Sequence, residues 1–326
     1  MVQGTSSSVG KSLLVTGLCR LFADAGIRVA PFKAQNMSNN AAVTDTGGEI
    51  GRAQWVQARA ARVRPRVEMN PVLLKPESNH RSQVILLGRP LGTLDYRDYR
   101  SRREETWPAI TAALDTLRAE HDLVIIEGAG SPAETNLRDR DVVNMAIALY
   151  ANAPVLLAGD IDRGGVFAHL YGTWALVAPE ERALIRGFIL NKFRGDASLL
   201  APAIEDLQRL TGIPTAGIVP WFPRHEIPEE DAVALETRPS DSTVAWAGID
   251  VAVLRFPRIA NFDDLDPLSA EPDVRVRWVE SAAEWGAPDL VVGVCVFGRD
   301  GIAVAVDRAA DQWRHCGNFW CPPSID

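Results

Sequence analysis

A phosphate-binding pattern stands at the start of the chain. Residues 4–12 read GTSSSVGKS and fit GxxxxGK[ST], whose glycines let successive backbone N–H groups point at phosphate oxygens. In such a loop Lys11 contacts the β- and γ-phosphates, and the Ser12 hydroxyl ligates Mg²⁺. The other loop residues expected to surround the phosphates are Gly4, Thr5, Ser8, Val9 and Gly10. The pattern predicts a nucleoside triphosphate site followed by a helix.

Further polar residues follow apolar runs at several places along the chain. These segments are 33–37 (KAQNM), 127–130 (EGAG), 159–165 (GDIDRGG) and 191–194 (NKFR). Ligands of open parallel sheets bind outside the carboxyl ends of the strands. We therefore expect these segments to lie together around the nucleotide.

The elements that must position these residues show a regular alternation. Short runs rich in Val, Ile and Leu predict strands over 28–32, 83–87, 123–127, 154–158, 187–191 and 217–220. Apolar residues at helical spacing predict helices over 49–62, 104–120, 142–151, 165–177 and 199–211. Buried strands alternating with helices indicate an α/β fold with a mostly parallel sheet and helices on both faces.

Composition excludes several classes of function. The 326 residues are 47% hydrophobic and 23% charged, and the net charge of −8 argues against a nucleic-acid surface. No apolar run is long enough to cross a bilayer and no signal-peptide layout opens the chain, so we expect a cytoplasmic protein without a membrane partner. The four cysteines form no disulfide framework, and the spacing of Cys316 and Cys321 is not that of a zinc ligand pair.

A second region begins after a linker. Residues 224–247 are rich in Pro, Glu, Asp and Ser. Beyond them, 249–256, 274–279 and 290–296 have the composition of strands. The predicted organisation is a nucleotide-binding domain over 1–237, a linker over 238–248 and a second α/β region over 249–326.

Six segments within residues 1–237 together resemble the cobyric acid synthase family, the glutamine-dependent amidotransferases of cobalamin biosynthesis. They are GTSSSVGKS, PFKAQNMSNNAAVTDTGGEIGRAQ, MNPVLLKPESNHRSQVILLGRPLG, EGAGSPAETNLRDRDVVNM, GDIDRGGVFAHLYGT and NKFRGDASLL. The resemblance implies a P-loop, dethiobiotin-synthetase-like domain followed by a class I glutaminase domain. It also implies a corrinoid substrate, adenosylcobyrinic acid a,c-diamide, whose b, d, e and g carboxylates become amides with ATP, Mg²⁺ and ammonia drawn from glutamine.

Amidation of a carboxylate requires activation, because oxide is a very poor leaving group. Transfer of the γ-phosphoryl group gives an acyl phosphate that ammonia can attack, and the protein mainly positions the groups and neutralises charge. In this chemistry Lys11 and Ser12 hold phosphates and metal, and Glu127 is the expected Mg²⁺ ligand. Lys33 is expected to neutralise the transferring phosphoryl group.

Other residues have broader expected roles. Asp45, Asp160 and Asp162 would hold further Mg²⁺ or shape the acyl-phosphate site, with an N-cap or a surface ion pair as the equal alternative. Arg163 and Arg138 would meet substrate carboxylates in bidentate fashion. Asn191 resembles the family residue that reads adenine. For His80, His121 and His169 a structural role is favoured.

The chain departs from the family after about residue 290. Residues 258–265 (RIANFDDL) still match the opening of the glutaminase domain, but the GxCxG turn of a triad glutaminase is missing. Cys295 lies in GVCVFG, which lacks the second glycine, and is not expected to be a nucleophile. The glutaminase domain is therefore expected to be incomplete. A separate ammonia source and a homo-oligomer stay open.

Two other functions compete with amidation of this corrinoid. One is a related carboxylate-activating synthetase of the cobyrinic acid a,c-diamide synthase or dethiobiotin synthetase type. The other is a partitioning-type ATPase that acts as a nucleotide-switched dimer. That family has lysine directly after the first P-loop glycine, where this chain has Thr5. An inactive remnant that keeps ATP binding is a further alternative.

Overall fold

The computed structural model describes residues 1–78, 80–95, 99–222, 227, 246–256, 259–281, 284 and 286–293. The strands are β1 Val2–Gly4, β2 Val29–Phe32, β3 Gln35–Met37, β4 Ala41–Val43, β5 Glu49–Gly51, β6 Val72–Pro76, β7 Arg81–Leu86, β8 Arg89–Asp95, β9 Leu123–Ile126, β10 Val155–Asp160, β11 Ile185–Phe193, β12 Thr215–Pro220, β13 Ile249–Leu254, β14 Val274–Val279 and β15 Leu290–Gly293. The α-helices are α1 Lys11–Asp24, α2 Arg52–Ala60, α3 Tyr99–Glu120, α4 Met145–Ala151, α5 Val166–Leu176, α6 Pro179–Arg182, α7 Ala201–Thr211 and α8 Asp266–Ser269. None of these helices is long and apolar enough to span a membrane.

The chain divides into two compact units. The first unit comprises Met1–Asn36, Ala42–Leu74 and Val84–Ile227, and the second comprises Met37–Ala41, Lys75–Gln83 and Pro228–Asp326. Two short segments from the N-terminal half thus belong to the second unit. The domain bounds predicted from the sequence, 1–237, 238–248 and 249–326, stay a prediction.

A parallel sheet forms the centre of the first unit. Strands β1, β10, β11 and β12 are neighbours in that order, and each pairing is parallel. Strands β2 and β9 form a second parallel pair. A parallel bridge between Val2 and Glu127 joins the end of β9 to β1, which gives the order β2-β9-β1-β10-β11-β12. This sheet confirms the predicted α/β class.

The helices bury apolar stripes against this sheet. In α3, Ile110, Ala113, Leu114 and Leu117 recur at helical spacing and are at most 3% exposed. They pack with Phe32 of β2 in one hydrophobic cluster. A further cluster combines side chains of β10, β11, α5 and α7, namely Val155, Leu157, Phe188, Leu190, Leu170 and Leu207.

The five helices predicted from the sequence are confirmed, but α2 and α4 each begin three residues later than predicted. Residues 49–51, predicted as the start of α2, form β5, which pairs with β4. Residues 142–144, predicted as the start of α4, precede that helix. The Asp141 carboxylate accepts hydrogen bonds there from the N–H groups of Val143 (3.0 Å), Asn144 (2.8 Å) and Ala146 (3.0 Å).

The strand predicted over 83–87 is present, but its predicted place in the parallel sheet is wrong. It corresponds to β7, which belongs to a separate sheet with the order β3-β6-β7-β8. Only Leu87 and Gly88 connect β7 to β8, and a connection of two residues permits antiparallel strands only. Both residues have positive φ, 45° and 78°, which is typical of a type I′ hairpin turn.

The second unit contains a small parallel sheet with the order β14-β13-β15. The strand predicted over 274–279 is confirmed at both ends, and the one predicted over 249–256 ends at Leu254. The strand predicted over 290–296 is confirmed over Leu290–Gly293, and residues 294–296 lie outside the described residues. Asp250 of β13 accepts hydrogen bonds from Arg277 (3.0 Å) and Arg275 (2.9 Å), and all three side chains are at least 80% buried. The network therefore joins the neighbouring strands β13 and β14.

Candidate nucleotide and metal site

The phosphate-binding loop connects β1 to α1 as the sequence predicts. Gly10 precedes the first helical residue, Lys11, and adopts φ 93°, a conformation that side chains with a Cβ atom rarely adopt. A Cβ atom at this position would also collide with the amide of Asn191. The N–H group of Thr5 donates to the carbonyl of Ala158 (2.9 Å), which ties the loop to β10.

Lys11 bridges two loops of the site. Its Nζ donates to the carbonyl of Ser6 (2.9 Å), in the phosphate-binding loop, and to that of Gly130 (3.1 Å), after β9. The side chain is only 7% exposed. The ammonium group therefore lies between the phosphate-binding loop and the turn after β9.

Glu127 is the centre of a buried polar cluster. Its Oε1 accepts hydrogen bonds from Ser12 Oγ (2.8 Å) and Lys33 Nζ (2.9 Å), and its Oε2 accepts one from Gln57 Nε2. The carboxylate is fully buried, and Lys33 is 3% exposed. The structure thus brings together Ser12, Lys33 and Glu127, which the sequence predicts at one site.

Backbone contacts explain why Glu127 reaches the phosphate-binding loop. Its N–H group donates to the carbonyl of Phe32 (2.8 Å), and Gly128 N–H donates to the carbonyl of Val2 (2.8 Å). The next turn is held by Asn144, whose side chain pairs with both the N–H and the carbonyl of Ala129 (3.1 and 2.6 Å). A Cβ atom at Gly128 would meet this asparagine oxygen, so the turn requires glycine.

The cluster has oxygen ligands of the kind that Mg²⁺ prefers. In the described part of the chain, no three His, Cys, Asp or Glu side chains come together as a metal-binding group. Mg²⁺ typically uses one or two protein ligands together with nucleotide phosphates and water. The Ser12 hydroxyl and the Glu127 carboxylate, which contact each other, fit that arrangement.

The negative charge of Glu127 also affects Cys19 of α1. Burial raises the pKa of the Cys19 thiol to about 12, and the Glu127 carboxylate adds to this shift. A thiol with a raised pKa is a poor nucleophile at neutral pH. Cys19 is 0% exposed and packs in a hydrophobic cluster with Val15 and Val29.

Asp160 takes part in a second charged cluster, at the end of β10. Its Oδ2 lies 2.8 Å from Lys192 Nζ and 3.7 Å from Arg163 Nε. The same Lys192 ammonium donates to the carbonyl of Ser8 (2.7 Å) and so connects Asp160 to the phosphate-binding loop. Asp162 pairs instead with Arg194 (3.2 Å), and both side chains are exposed.

Asn191 supports the phosphate-binding loop. It is 1% exposed, and its Nδ2 donates to the carbonyl of Val9 (2.7 Å). The amide nitrogen is therefore engaged with the loop, beside Gly10. Recognition of adenine by Asn191, expected from the resemblance, stays a prediction.

Several other predicted residues are not brought to Glu127 by any contact found among the described residues. Asp45 is exposed between β4 and β5, 3.9 Å from the exposed Arg64. Arg138 donates to the carbonyl of Leu176 (3.0 Å) and pairs with Glu181 (3.3 Å). His121 contacts a carbonyl within its own helical turn, as a structural role would require. Cys295 lies outside the described residues.

Sequence reasoning missed Gln57, the third residue that contacts the Glu127 carboxylate. It lies on α2 within the segment GRAQWVQARA, and it is fully buried. A glutamine in an amphipathic helix carries no motif of its own. The available signal was that Gln54 and Gln57 occupy the buried stripe of the helix, where apolar residues are the norm.

Comparisons with known proteins place this geometry in context. Residues 1–233 match the family described as the CobQ/CobB/MinD/ParA nucleotide binding domain. The chain is 58% identical over 292 residues to a protein named cobyric acid synthase from Sorangium cellulosum, covering 90% of this chain and 56% of that protein. A protein of the same name from Paracidovorax citrulli is 55% identical over 300 residues, covering 90% and 60%.

A third relative extends the match further along the chain. The protein named cobyric acid synthase from Chloroflexus aurantiacus is 56% identical over 321 residues, which cover 98% of this chain and 63% of that protein. The chain thus spans about three fifths of the length of the curated relatives it matches.

Proposed function

The chain belongs to the CobQ/CobB/MinD/ParA family of nucleotide-binding domains, and from that membership we propose that it activates carboxylates with ATP for amidation. The proposed substrate is adenosylcobyrinic acid a,c-diamide, whose b, d, e and g carboxylates become amides to give cobyric acid. The relatives that carry the name cobyric acid synthase support this choice of substrate. The proposed product, cobyric acid, belongs to cobalamin biosynthesis.

One observation carries the proposal. Ser12 and Lys33 contact the buried Glu127 carboxylate, and Lys11, the residue before Ser12, places its ammonium group against the phosphate-binding loop. Phosphoryl transfer is catalysed mainly by positioning and by neutralisation of charge on phosphate oxygens. Two buried lysines beside one carboxylate supply the positive charge that this task needs.

The proposed reaction has two balanced steps. A substrate carboxylate oxygen attacks the γ-phosphorus of ATP, the bond to the β–γ bridging oxygen breaks, and ADP leaves. The nitrogen lone pair of ammonia then attacks the acyl carbon, the C–O bond to phosphate breaks, and nitrogen loses a proton. Inorganic phosphate and the amide are the products.

The roles of the side chains follow from their placement. Lys11 would hold the β- and γ-phosphates, and Lys33 would neutralise the phosphoryl group during transfer. Ser12 and Glu127 would hold Mg²⁺, which supplies further charge neutralisation on the phosphate oxygens when bound. Asp160 and Arg163 would shape the site beyond the loop, with Lys192 fixing Asp160 against it.

An amidation assay with the purified 326-residue chain tests the proposal. ATP, Mg²⁺ and the corrinoid are incubated with ammonium or with glutamine, and products are identified by mass spectrometry. We expect ammonium-dependent amides and stoichiometric ADP. Amidation of the substrates of the related synthetases instead would reassign the substrate. ATP hydrolysis without any amidation would favour the nucleotide-switched ATPase.

A further inference from the structure

Gln57 divides the two oxygens of the Glu127 carboxylate between different partners. Its Nε2 donates to Oε2, whereas Ser12 and Lys33 donate to Oε1. The contact joins α2 to the end of β9 across 70 residues of sequence. The carboxylate is therefore held on one side by an uncharged donor and on the other by the groups expected to act on phosphate and metal.

Burial of Gln57 reduces the stability of the fold, and a purely structural role does not explain why glutamine stands at this position. Its Oε1 is buried and has no hydrogen-bond partner among the described residues, and the whole side chain is 0% exposed. A buried polar atom without such a partner is destabilising, because it has lost its hydrogen bonds to water. Methionine would fill the same space without that penalty, so the feature that glutamine adds is the N–H bond to Glu127.

The orientation of this amide follows from its partner. A carboxylate can only accept hydrogen bonds, so the side that faces Oε2 must be the NH₂ group. The carbonyl then necessarily turns toward the interior. A single orientation of the amide thus explains both the hydrogen bond to Glu127 and the carbonyl oxygen that has no partner among the described residues.

We propose that Gln57 is a positioning residue that fixes Glu127 Oε2, so that Oε1 stays directed at the Ser12 hydroxyl and at the cation. The inference rests on the proposed function, because it takes Ser12 and Glu127 as the ligands of Mg²⁺. Residues that orient a metal ligand typically change metal affinity about 10–100-fold when replaced. In this role Gln57 acts through Glu127.

Gln54 provides a matched control on the same helix. It lies three residues earlier, is also 0% exposed, and also has a buried amide atom, Nε2, without a partner in the described part of the chain. Its Oε1 accepts a hydrogen bond from Asn36 Nδ2 (3.2 Å), and no described contact links it to Glu127. Gln54→Met and Gln57→Met therefore remove the same chemical group from buried positions of the same helix, and only the second removes a contact with Glu127.

The experiment measures metal binding without turnover. Mg²⁺ is titrated by calorimetry into the chain saturated with a non-hydrolysable ATP analogue, and binding of the analogue is also measured in EDTA. We expect Gln57→Met to weaken Mg²⁺ about 10–100-fold, with unchanged metal-free nucleotide affinity. Gln54→Met should bind Mg²⁺ as the parent chain does. Gln57→Asn, which keeps an amide of shorter reach, should reproduce the loss and replaces Gln57→Met if that variant does not fold.

A double-mutant cycle separates this inference from the proposed metal site. In a Glu127→Gln background, Gln57→Met should weaken Mg²⁺ no further, because its effect passes through the carboxylate. Parent-like Mg²⁺ binding in Gln57→Met, beside a clear loss in Glu127→Gln, would overturn the positioning role alone. Parent-like binding in Glu127→Gln would overturn the metal site together with it. An equal loss in Gln54→Met would overturn the inference by showing a general effect of α2.

Discussion

Lys33 Nζ lies 2.9 Å from Glu127 Oε1, in a salt bridge whose side chains are 4% and 0% exposed. Desolvation of two charges usually cancels much of their attraction, so a buried pair of this kind is weak evidence for stability. Apolar residues would fill the same volume at lower cost. The pair is better explained by a requirement for charge at this point, next to the phosphate-binding loop.

Glu127→Gln keeps the volume of the side chain and removes its charge. We expect amidation to fall, the Mg²⁺ requirement to rise, and unfolding free energy to drop by about 3–5 kcal/mol because the Lys33 charge stays buried. Mg²⁺ titrations of activity and chemical denaturation measure these effects. Glu120→Gln, which breaks a half-exposed pair with Arg66, is the control and should cost about 1 kcal/mol or less. An unchanged Mg²⁺ titration would make Glu127 a structural residue.

Lys11→Ala removes the ammonium group from the phosphate-binding loop. Amidation should decrease on the order of a hundredfold or more, because the charge acts on the transferring phosphoryl group. The melting temperature should change little, because the Lys11 side chain contacts loop carbonyls and belongs to no hydrophobic cluster. Arg20→Ala, on the exposed face of α1, should leave the rate unchanged. A parent-like rate in Lys11→Ala would remove the basis of the phosphate-site assignment.

Two glycines of the same segment should respond in opposite ways to alanine. Gly10→Ala forces a Cβ atom into positive φ and against Asn191, so nucleotide affinity and stability should both fall. Gly17 lies within α1 with open space around its Cα, and Gly17→Ala should stabilise the chain by roughly 0.5–1 kcal/mol. Thermal unfolding and nucleotide titration measure both effects. Equal behaviour of the two variants would contradict the loop geometry.

The nitrogen donor should be ammonia. None of the four cysteines lies in a GxCxG turn, so the 326-residue chain should amidate with ammonium salts and fail with glutamine. At fixed total ammonium the rate should rise with pH until groups of the ATP site titrate. The reason is that ammonium must lose a proton to become ammonia, which has the lone pair that attacks. Cys295→Ser should change neither rate. Glutamine-dependent amidation that disappears in this variant would reveal an unconventional glutaminase site.

The Asp250 network should be a main stabilising feature of the second unit. Asp250→Ala leaves Arg277, which is 3% exposed, buried without its carboxylate partner, and should cost about 3–5 kcal/mol. Asp206→Ala removes the carboxylate of an exposed pair with Arg209 and should cost about 1 kcal/mol or less. Denaturant unfolding compares the two variants. Similar small losses in both would show that the network contributes little.

The sequence predicts the parts of the site that carry charge at the ends of strands. Lys11, Ser12, Lys33 and Glu127 are recognisable because a glycine-bearing turn follows an apolar run, and the carboxyl ends of parallel strands meet at one edge. Their convergence could therefore be expected without coordinates. The uncharged Gln57 could not, since only the packing of α2 against the sheet reveals its partner.

The fold shows the same limit. The long apolar runs of β9, β10 and β11 predict a parallel sheet, whereas β4 and β5 are only three residues long and too short for periodicity to identify. β7 has the composition of a parallel strand, but its two-residue connection to β8 determines its sheet. The roles expected for Asp45 and Arg138 depended on distances between loops, which spacing in sequence does not give.

Asn261 contacts two residues of the second unit that lie far earlier in the sequence, and this separation constrains the order of folding. Within the second unit, Asn261 Oδ1 accepts a hydrogen bond from Ala41 N–H (2.9 Å), and Asn261 N–H donates to Asn40 Oδ1 (2.7 Å). These partners are 220 and 221 residues apart. At a synthesis rate of about 5–20 residues per second, residues 40 and 41 are added to the chain roughly 10–45 s before Asn261. The second unit therefore cannot finish folding during synthesis of the first, and residues 40 and 41 must wait for a partner that is synthesised much later.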